Sequence, residues 1–579
     1  MSFSTQVVLS FSAIFPEETP NQPKEYLQGI SRETLMNLGC FFLGFKNYGS
    51  QYEDPVDFMK MFFSGNNTDL LERSKENIKT YLNTNGYHTE TATIPYALSS
   101  LELFENAFNL PESVQTKTKR QSEIDIFKFY LLLNQNLMSK RSQIIAQVEK
   151  HFHGQKKIAA NLLFYQFNSF DLTNYHFDKL FSTQFLRALM FFDFLNQRED
   201  CNLLLREFYS YFGVEDYKDY LKRILPLAFG VIKGDLEAHT DIVLDEQATQ
   251  EDIDFLDKLA VDNLVLLDDF DFKSIRANPI YKVSERTYRI ISPPFAIELI
   301  YNGLYWKFRE VYDQMPKTRK PKDLYSLKTY EFSEKFVLNK ILGEYFGNRY
   351  IQKTGKELDR NYEGAPDYYV RNSNSIILFE SKDIMINAAV KESVDLLEIQ
   401  QALAEKLYKK ADGTPKAVMQ LIRSITKILT NQQKFDEDYS ADDVIISPVI
   451  VVHYRMFNNA GLNKFINFWF QEELHLLKEK GLKISNVKPL VIIDIDTLIF
   501  NKDVFADRIL ELENCLFEYQ ADYVGFDGNG RFFTSKYYHD KAFKESFLPF
   551  DHYLDNKIDK MGLRKTPREI KENGFKIFD

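Results

Sequence analysis

The stretch Gly364–Asp383, GAPDYYVRNSNSIILFESKD, brings an aspartate, a glutamate and a lysine onto what reads as one β-hairpin. Arg371-Asn-Ser-Asn-Ser375 has turn composition and lies between two β-rich runs. A period of two along the second run places Ile376, Leu378, Glu380 and Lys382 on one face. A carboxylate and an ammonium therefore extend an otherwise apolar face, and burying either alone is costly unless a partner or an ion neutralises it. Asp367, at the start of the first run, can approach Glu380 across the hairpin. Two carboxylates held together repel, and a divalent cation relieves them. An oxygen-only donor set suits Mg²⁺ (or Mn²⁺) with several retained waters.

The upstream helix adds a third acid. Glu334 stands four residues before Leu338 and seven before Ile341, so at helical spacing it lies on the apolar stripe. Glu331 has Lys335 four residues on and can be satisfied as a surface pair. That contrast favours Glu334 over Glu331 as the inward acid.

Pro366-Asp367, then Glu380-Ser-Lys382 at the end of an apolar strand, after a helix with an inward glutamate, resembles the PD-(D/E)xK nuclease superfamily over residues of about 326–500. The resemblance implies a restriction-endonuclease-like α/β core with a mixed sheet and a Mg²⁺-dependent endonuclease (hydrolase) activity on phosphodiester bonds. DNA is the substrate it implies. On that likeness Asp367, Glu380 and the backbone carbonyl of Ser381 would hold the metal. Glu334 would complete the shell through water, and Lys382 would orient the attacking water and stabilise charge on the phosphate. Some branches of the superfamily place a Gln on the helix after the motif, often followed four residues on by Tyr. Here Gln420 takes that place and Ser424 stands where the Tyr would be, so that likeness is incomplete. Gln420, Arg423 and Lys427 are the substrate-binding candidates on this helix.

Two rivals are weighed beside this site. Asp494-x-Asp496 ends an apolar strand and is similar to the nucleophile pair of haloacid-dehalogenase phosphatases. That pattern wants a threonine two positions after the second Asp, where Leu498 stands. A core strand ending in acids is the better reading. His453 and Arg455 alternate along the strand Val444–Tyr454 and just beyond it; they could face the site, but a satisfied strand-end histidine is the better reading. The rival class of function is a non-catalytic scaffold or interaction protein, in which Asp367, Glu380 and Lys382 form only a cross-strand ion pair.

The elements that must position these residues follow from the pattern. Residues 1–270 read as a helical accessory domain, with Glu123–Asn136, Arg141–His151, Phe181–Phe194 and Asn202–Phe212 at helical spacing. Residues 271–325 give two short strands, Pro279–Val283 and Thr287–Ile291, a helix through Leu299, Leu304, Trp306 and Phe308, and the basic linker MPKTRKPK with Lys317, Arg319, Lys320 and Lys322. Residues 326–510 alternate: helix Thr329–Phe346, strands Tyr368–Val370 and Ile376–Lys382, helices Val394–Lys410 and Lys416–Leu429, strand Val444–Tyr454, helix Leu462–Lys480 and strand Pro489–Ile495. Such alternation indicates an α/β core. Residues 511–579 are a C-terminal extension of helix and loop.

The 579 residues are 44% hydrophobic and 27% charged, which excludes collagen-like and wholly disordered chains. A net charge of -11 argues against coating nucleic acid through bulk charge and leaves room for a local basic patch. Cys40, Cys201 and Cys515 are far apart, with no Cys-x-x-Cys, so zinc ribbons and disulfide scaffolds are not expected. The first lysine is Lys24, so no basic region of a secretory signal is seen. Apolar runs are too short to span a bilayer. A cytoplasmic location with no membrane partner is therefore expected. The helical N-terminal domain is expected to supply a protein partner or homo-oligomer contact. A large accessory domain fused to such a core is similar to restriction or anti-phage (antiviral) defence proteins.

Overall fold

Strand-forming runs and helices alternate only in the second half of the chain, and the computed structural model divides accordingly into sheet-centred and helix-rich parts. It describes residues 7–44, 54–87, 92–233, 239–321, 323–360, 362–432, 435–436, 438–526 and 536–578. Lys322 of the basic linker lies outside these. The chain forms two compact units that interleave in sequence: residues 1–143, 172–181 and 209–307 make one, and 144–171, 182–208 and 308–579 the other.

The first unit is mainly helical. Helices such as Arg32–Gly44, Thr68–Asn85 and Ala97–Phe108 enclose a core rich in phenylalanine, including Phe11, Phe15, Phe42, Phe58, Phe104 and Phe127. Gly39 lets two of these helices approach closely, since a Cβ there would lie 3.0 Å from the Cβ of Phe104. A parallel pair joins β1 (Val7–Val8) to β2 (Ala92–Thr93). An antiparallel sheet of β3 (Asp241–Val243), β4 (Ile280–Ser284) and β5 (Thr287–Ile290) runs in the order β3-β5-β4. The two expected strands near residue 280 are thus present. The expected helix through Leu299 is two helices, Pro293–Glu298 and Asn302–Gln314, with Leu299 between them. The runs Glu123–Asn136 and Arg141–His151 belong to one helix, Lys119–His151.

The second unit is built on a five-stranded mixed sheet. Its strands are β6 (Ile351–Thr354), β7 (Tyr368–Asn372), β8 (Ser375–Lys382), β9 (Ile445–Val452) and β10 (Val491–Asp494), in the order β10-β9-β8-β7-β6. β6, β7 and β8 are antiparallel neighbours, while β8, β9 and β10 run parallel. The central strands are buried along nearly their whole length, which explains why their sequences are continuous apolar runs. One face packs Tyr369, Ile376, Leu378, Ile450 and Val452 against helices Leu396–Leu407 and Ala417–Leu429.

In this unit the helix that carries Glu334 departs from expectation. The helix expected over Thr329–Phe346 is π-wound from Leu327 to Val337 and becomes an ordinary α-helix only from Leu338 to Phe346. A π-winding inserts residues into the turn, so the 3.6-residue spacing used to place Glu334 does not hold along this stretch. Among the described residues no helix is long and apolar enough to cross a membrane.

Candidate active site

β7 and β8 pair Tyr368 with Phe379, so continuing the antiparallel register brings Asp367 beside Glu380. Asp367 is held by its backbone and by its carboxylate. Gly355 N–H donates to the Asp367 carbonyl at 2.7 Å, and Ser381 N–H donates to Asp367 Oδ2 at 2.7 Å. Glycine at 355 eases this approach, because a Cβ there would lie a tight 3.0 Å from the Asp367 carbonyl oxygen. Lys382 Nζ lies 2.6 Å from Glu380 Oε1 and 3.9 Å from Asp367 Oδ2, so one ammonium reaches both carboxylates. Glu380 is 1% exposed.

Glu334 joins them from the π-wound segment, hydrogen-bonded to Asp367. Burial, and then the Asp367 charge, push its carboxyl up to about 9. Burial and Asp367 likewise raise Glu380 to about 8. Burial raises Asp367 too, against the pull of Lys382 and the Ser381 N–H. Burial alone would lower Lys382, but Glu380, Asp367 and Glu334 hold it above its ordinary value. The contact raises Glu334 and lowers Asp367, so of the two Glu334 is the carboxyl that keeps a proton and donates it to Asp367. Glu331 makes the surface pair expected of it, 3.1 Å from Lys335.

Among the described residues no group of three or more His, Cys, Asp or Glu side chains stands arranged around a metal position. Glu380 closes on the Lys382 ammonium, and Glu334 shares a proton with Asp367. The three carboxyl groups are oxygen donors of the kind a hard divalent cation takes, and burial together with mutual crowding raises all three, but as they stand they do not surround a common position.

The reverse side of β8 carries a polar layer that the sequence patterns did not single out. Asp383 accepts from Lys328 Nζ at 2.7 Å and from Ser333 Oγ at 2.5 Å. Burial would raise the Asp383 carboxyl, but Lys328 and its other partners hold it below its usual range. Lys328 and Ser333 belong to the same π-wound segment as Glu334, so this ion pair anchors the segment that presents the third acid. Ser381 Oγ lies 2.8 Å from His453 Nε2. His453 is 2% exposed, and burial depresses it to about 3, so the imidazole is neutral. It faces Ser381 through Nε2, but its Nδ1 is buried without a hydrogen-bond partner among the described residues, so the histidine is only half satisfied. The signal that could have flagged Asp383 is its place directly after Glu380-Ser-Lys382, where another buried charge needs a partner.

The helix after the motif is Ala417–Leu429. Gln420 is half-buried, Arg423 is exposed, Ser424 is buried, and Lys427 Nζ donates to the Glu363 carbonyl. Asp494 ends β10 and Asp496 lies in the short helix Ile495–Phe500 that follows, both buried: Asp494 caps that helix by accepting from Asp496 N–H at 3.1 Å, and Asp496 pairs with buried Arg187 at 3.0 Å. Both acids thus have structural partners. Comparison with protein-family models, with curated proteins and with solved structures gives no match to this chain.

Proposed function

We propose that the chain is a metal-dependent nuclease of the PD-(D/E)xK type, hydrolysing phosphodiester bonds in DNA with Mg²⁺ or Mn²⁺. The observation that carries this is the convergence of Glu334, Asp367 and Glu380, from a helix and two strands, on the single ammonium of Lys382. Asp367, Glu380 and the Ser381 carbonyl would hold the cation, which when bound supplies Lewis acidity and a more acidic water. Glu334 would give up its proton on binding of the cation. Lys382, within reach of both carboxylates, would orient the attacking water and stabilise charge on the phosphate oxygens. The N-terminal helical region would direct the activity, in the manner of restriction or antiviral defence systems.

The test is cleavage of plasmid, linear duplex, single-stranded DNA and RNA in Mg²⁺, Mn²⁺ or EDTA, comparing wild type with Asp367→Ala, Glu380→Ala and Lys382→Ala. Each variant is expected to lose at least about a hundredfold in rate. EDTA-resistant cleavage, or full activity in all three, rejects the assignment. A non-catalytic scaffold is the second reading, favoured by the 2.6 Å approach of Lys382 to Glu380, which neutralises that carboxylate without a cation. Absence of cleavage together with absence of Mn²⁺ binding would decide for it.

A further inference from the structure

One buried side chain beside the carboxylates has no task in the nuclease proposal. His453 follows Val452, the last residue of β9, which lies opposite Lys382 of β8 in the parallel register. Its imidazole reaches back to Ser381, whose Oγ lies 2.8 Å from His453 Nε2. Ser381 is 1% exposed and His453 2%. Nδ1 makes no hydrogen bond among the described residues. A neutral imidazole carries one ring proton, so a ring bonded through one nitrogen buries either an unmet donor or an unmet acceptor. Such a group is costly, and an apolar pair of similar shape would avoid it. The sheet itself therefore gives no reason for a serine and a histidine here.

The reason lies in the backbone of Ser381. This residue stands past Phe379, the last β8 residue that β7 pairs, and its N–H donates to Asp367 Oδ2 at 2.7 Å. In a strand the N–H and C=O of one residue point to the same side, so the Ser381 carbonyl shares the side of the bond to Asp367. The Ser381 side chain stands on the sheet face opposite Glu380 and Lys382. His453 therefore holds, from behind, the residue whose backbone meets the acids. The histidine is itself held, because Arg187 Nη1 donates to the His453 carbonyl at 3.2 Å and to Asp496 Oδ1 at 3.0 Å. A chain of bonded groups thus runs from Asp496 through Arg187, His453 and Ser381 to Asp367.

We infer that His453 is a positioning residue: through Ser381 it fixes the direction of the Asp367 carboxylate and of the Ser381 carbonyl. Its effect on cleavage rests on the nuclease proposal, while the link to Asp367 can be tested without metal or substrate. The full chain is compared with Ser381→Ala, His453→Leu, the double variant S381A/H453L, and His453→Gln, which keeps a polar atom near the position of Nε2. The readouts are Mn²⁺ affinity by calorimetry, the rate of DNA cleavage, and Tm. Each single variant and the double should lose about 10- to 100-fold in Mn²⁺ affinity and in rate, the double no more than either single. His453→Gln should recover most of that loss. The double variant should melt no lower than wild type, since it buries no unmet polar group at these positions.

Wild-type Mn²⁺ affinity and rate in the double variant overturn the positioning role. A loss that His453→Gln fails to recover overturns it too, and makes His453 a packing residue. A wild-type chain that neither binds Mn²⁺ nor cleaves rejects the nuclease proposal instead, and melts in EDTA then decide the link. There Asp367→Asn should shift the Tm by amounts that differ by about 2 °C or more between the wild-type and His453→Leu backgrounds. Equal shifts in the two backgrounds overturn the link.

Discussion

Replacing Glu334 by Gln is a sharp test of the carboxylate cluster, because glutamine mimics the protonated acid. In the metal-free protein Glu334 is pushed up to about 9, whereas in the unfolded chain it titrates near 4.5. Folding therefore retains a proton that the unfolded chain releases across this window. The stability tied to that proton is fully present below pH 4.5 and is lost as pH rises toward 9, at about 1.4 kcal/mol per pH unit. Between pH 5 and pH 8 the loss reaches up to about 4 kcal/mol. Gln at 334 binds no such proton and still offers an N–H to Asp367. In EDTA the variant should match wild type near pH 5 and melt several degrees higher at pH 8. Mg²⁺ should then raise the wild-type Tm most at high pH, where the carboxyl has lost its proton, and should release protons measurable in weakly buffered solution. Parallel Tm–pH curves for the two proteins would refute the assignment of a shared proton to Glu334 and Asp367.

Other perturbations give further expectations. Gly355→Ala drives a methyl against the Asp367 backbone at 3.0 Å, and should cost about 1–3 kcal/mol while weakening Mn²⁺ binding measured by calorimetry. His453→Gln should flatten the acid limb of stability. The folded-state value of His453 is depressed to about 3, so its stabilisation is present above the ordinary histidine range and is lost as pH falls below it, an effect the variant lacks in melts between pH 4 and 7. Arg187→Met leaves Asp496 buried without its partner beside Asp494, and should lower stability by about 3–5 kcal/mol in thermal melts at pH 7.

Much of the sheet unit is legible in the sequence. The apolar runs over Ile376–Lys382, Val444–Tyr454 and Pro489–Ile495 correspond to β8, β9 and β10 within a few residues, because strands buried on both faces have little choice but Val, Ile and Leu. Ala417–Leu429 is equally clear from its apolar stripe. β6 is not: Ile351–Thr354 is a polar, half-exposed edge strand whose existence depends on pairing with β7, and nothing in its own pattern states that. The π-winding escapes the pattern for a related reason, since it answers to the contacts of Lys328 and Ser333 with Asp383, far along the chain. Asp367, Glu380 and Lys382 can be brought together from hairpin register alone. Glu334 is placed by a periodicity that the segment does not keep, and it faces Asp367 all the same.

The hairpin of β7 and β8 turns through only Ser373 and Asn374, with Ser373 in the left-handed region at φ 53° and no glycine to ease it. Such a turn is a poor guardian of alignment, and a slip of one residue would send Ser381 to the face of Glu380 and turn the acid away. The neighbours Ser333 and Glu334 grip the far end of the hairpin, one at Asp383 and the other at Asp367. That grip acts as a ratchet stop on strand sliding. A lineage without it would keep its sheet and lose its alignment, and its acids would drift apart while every residue of the motif remained in place.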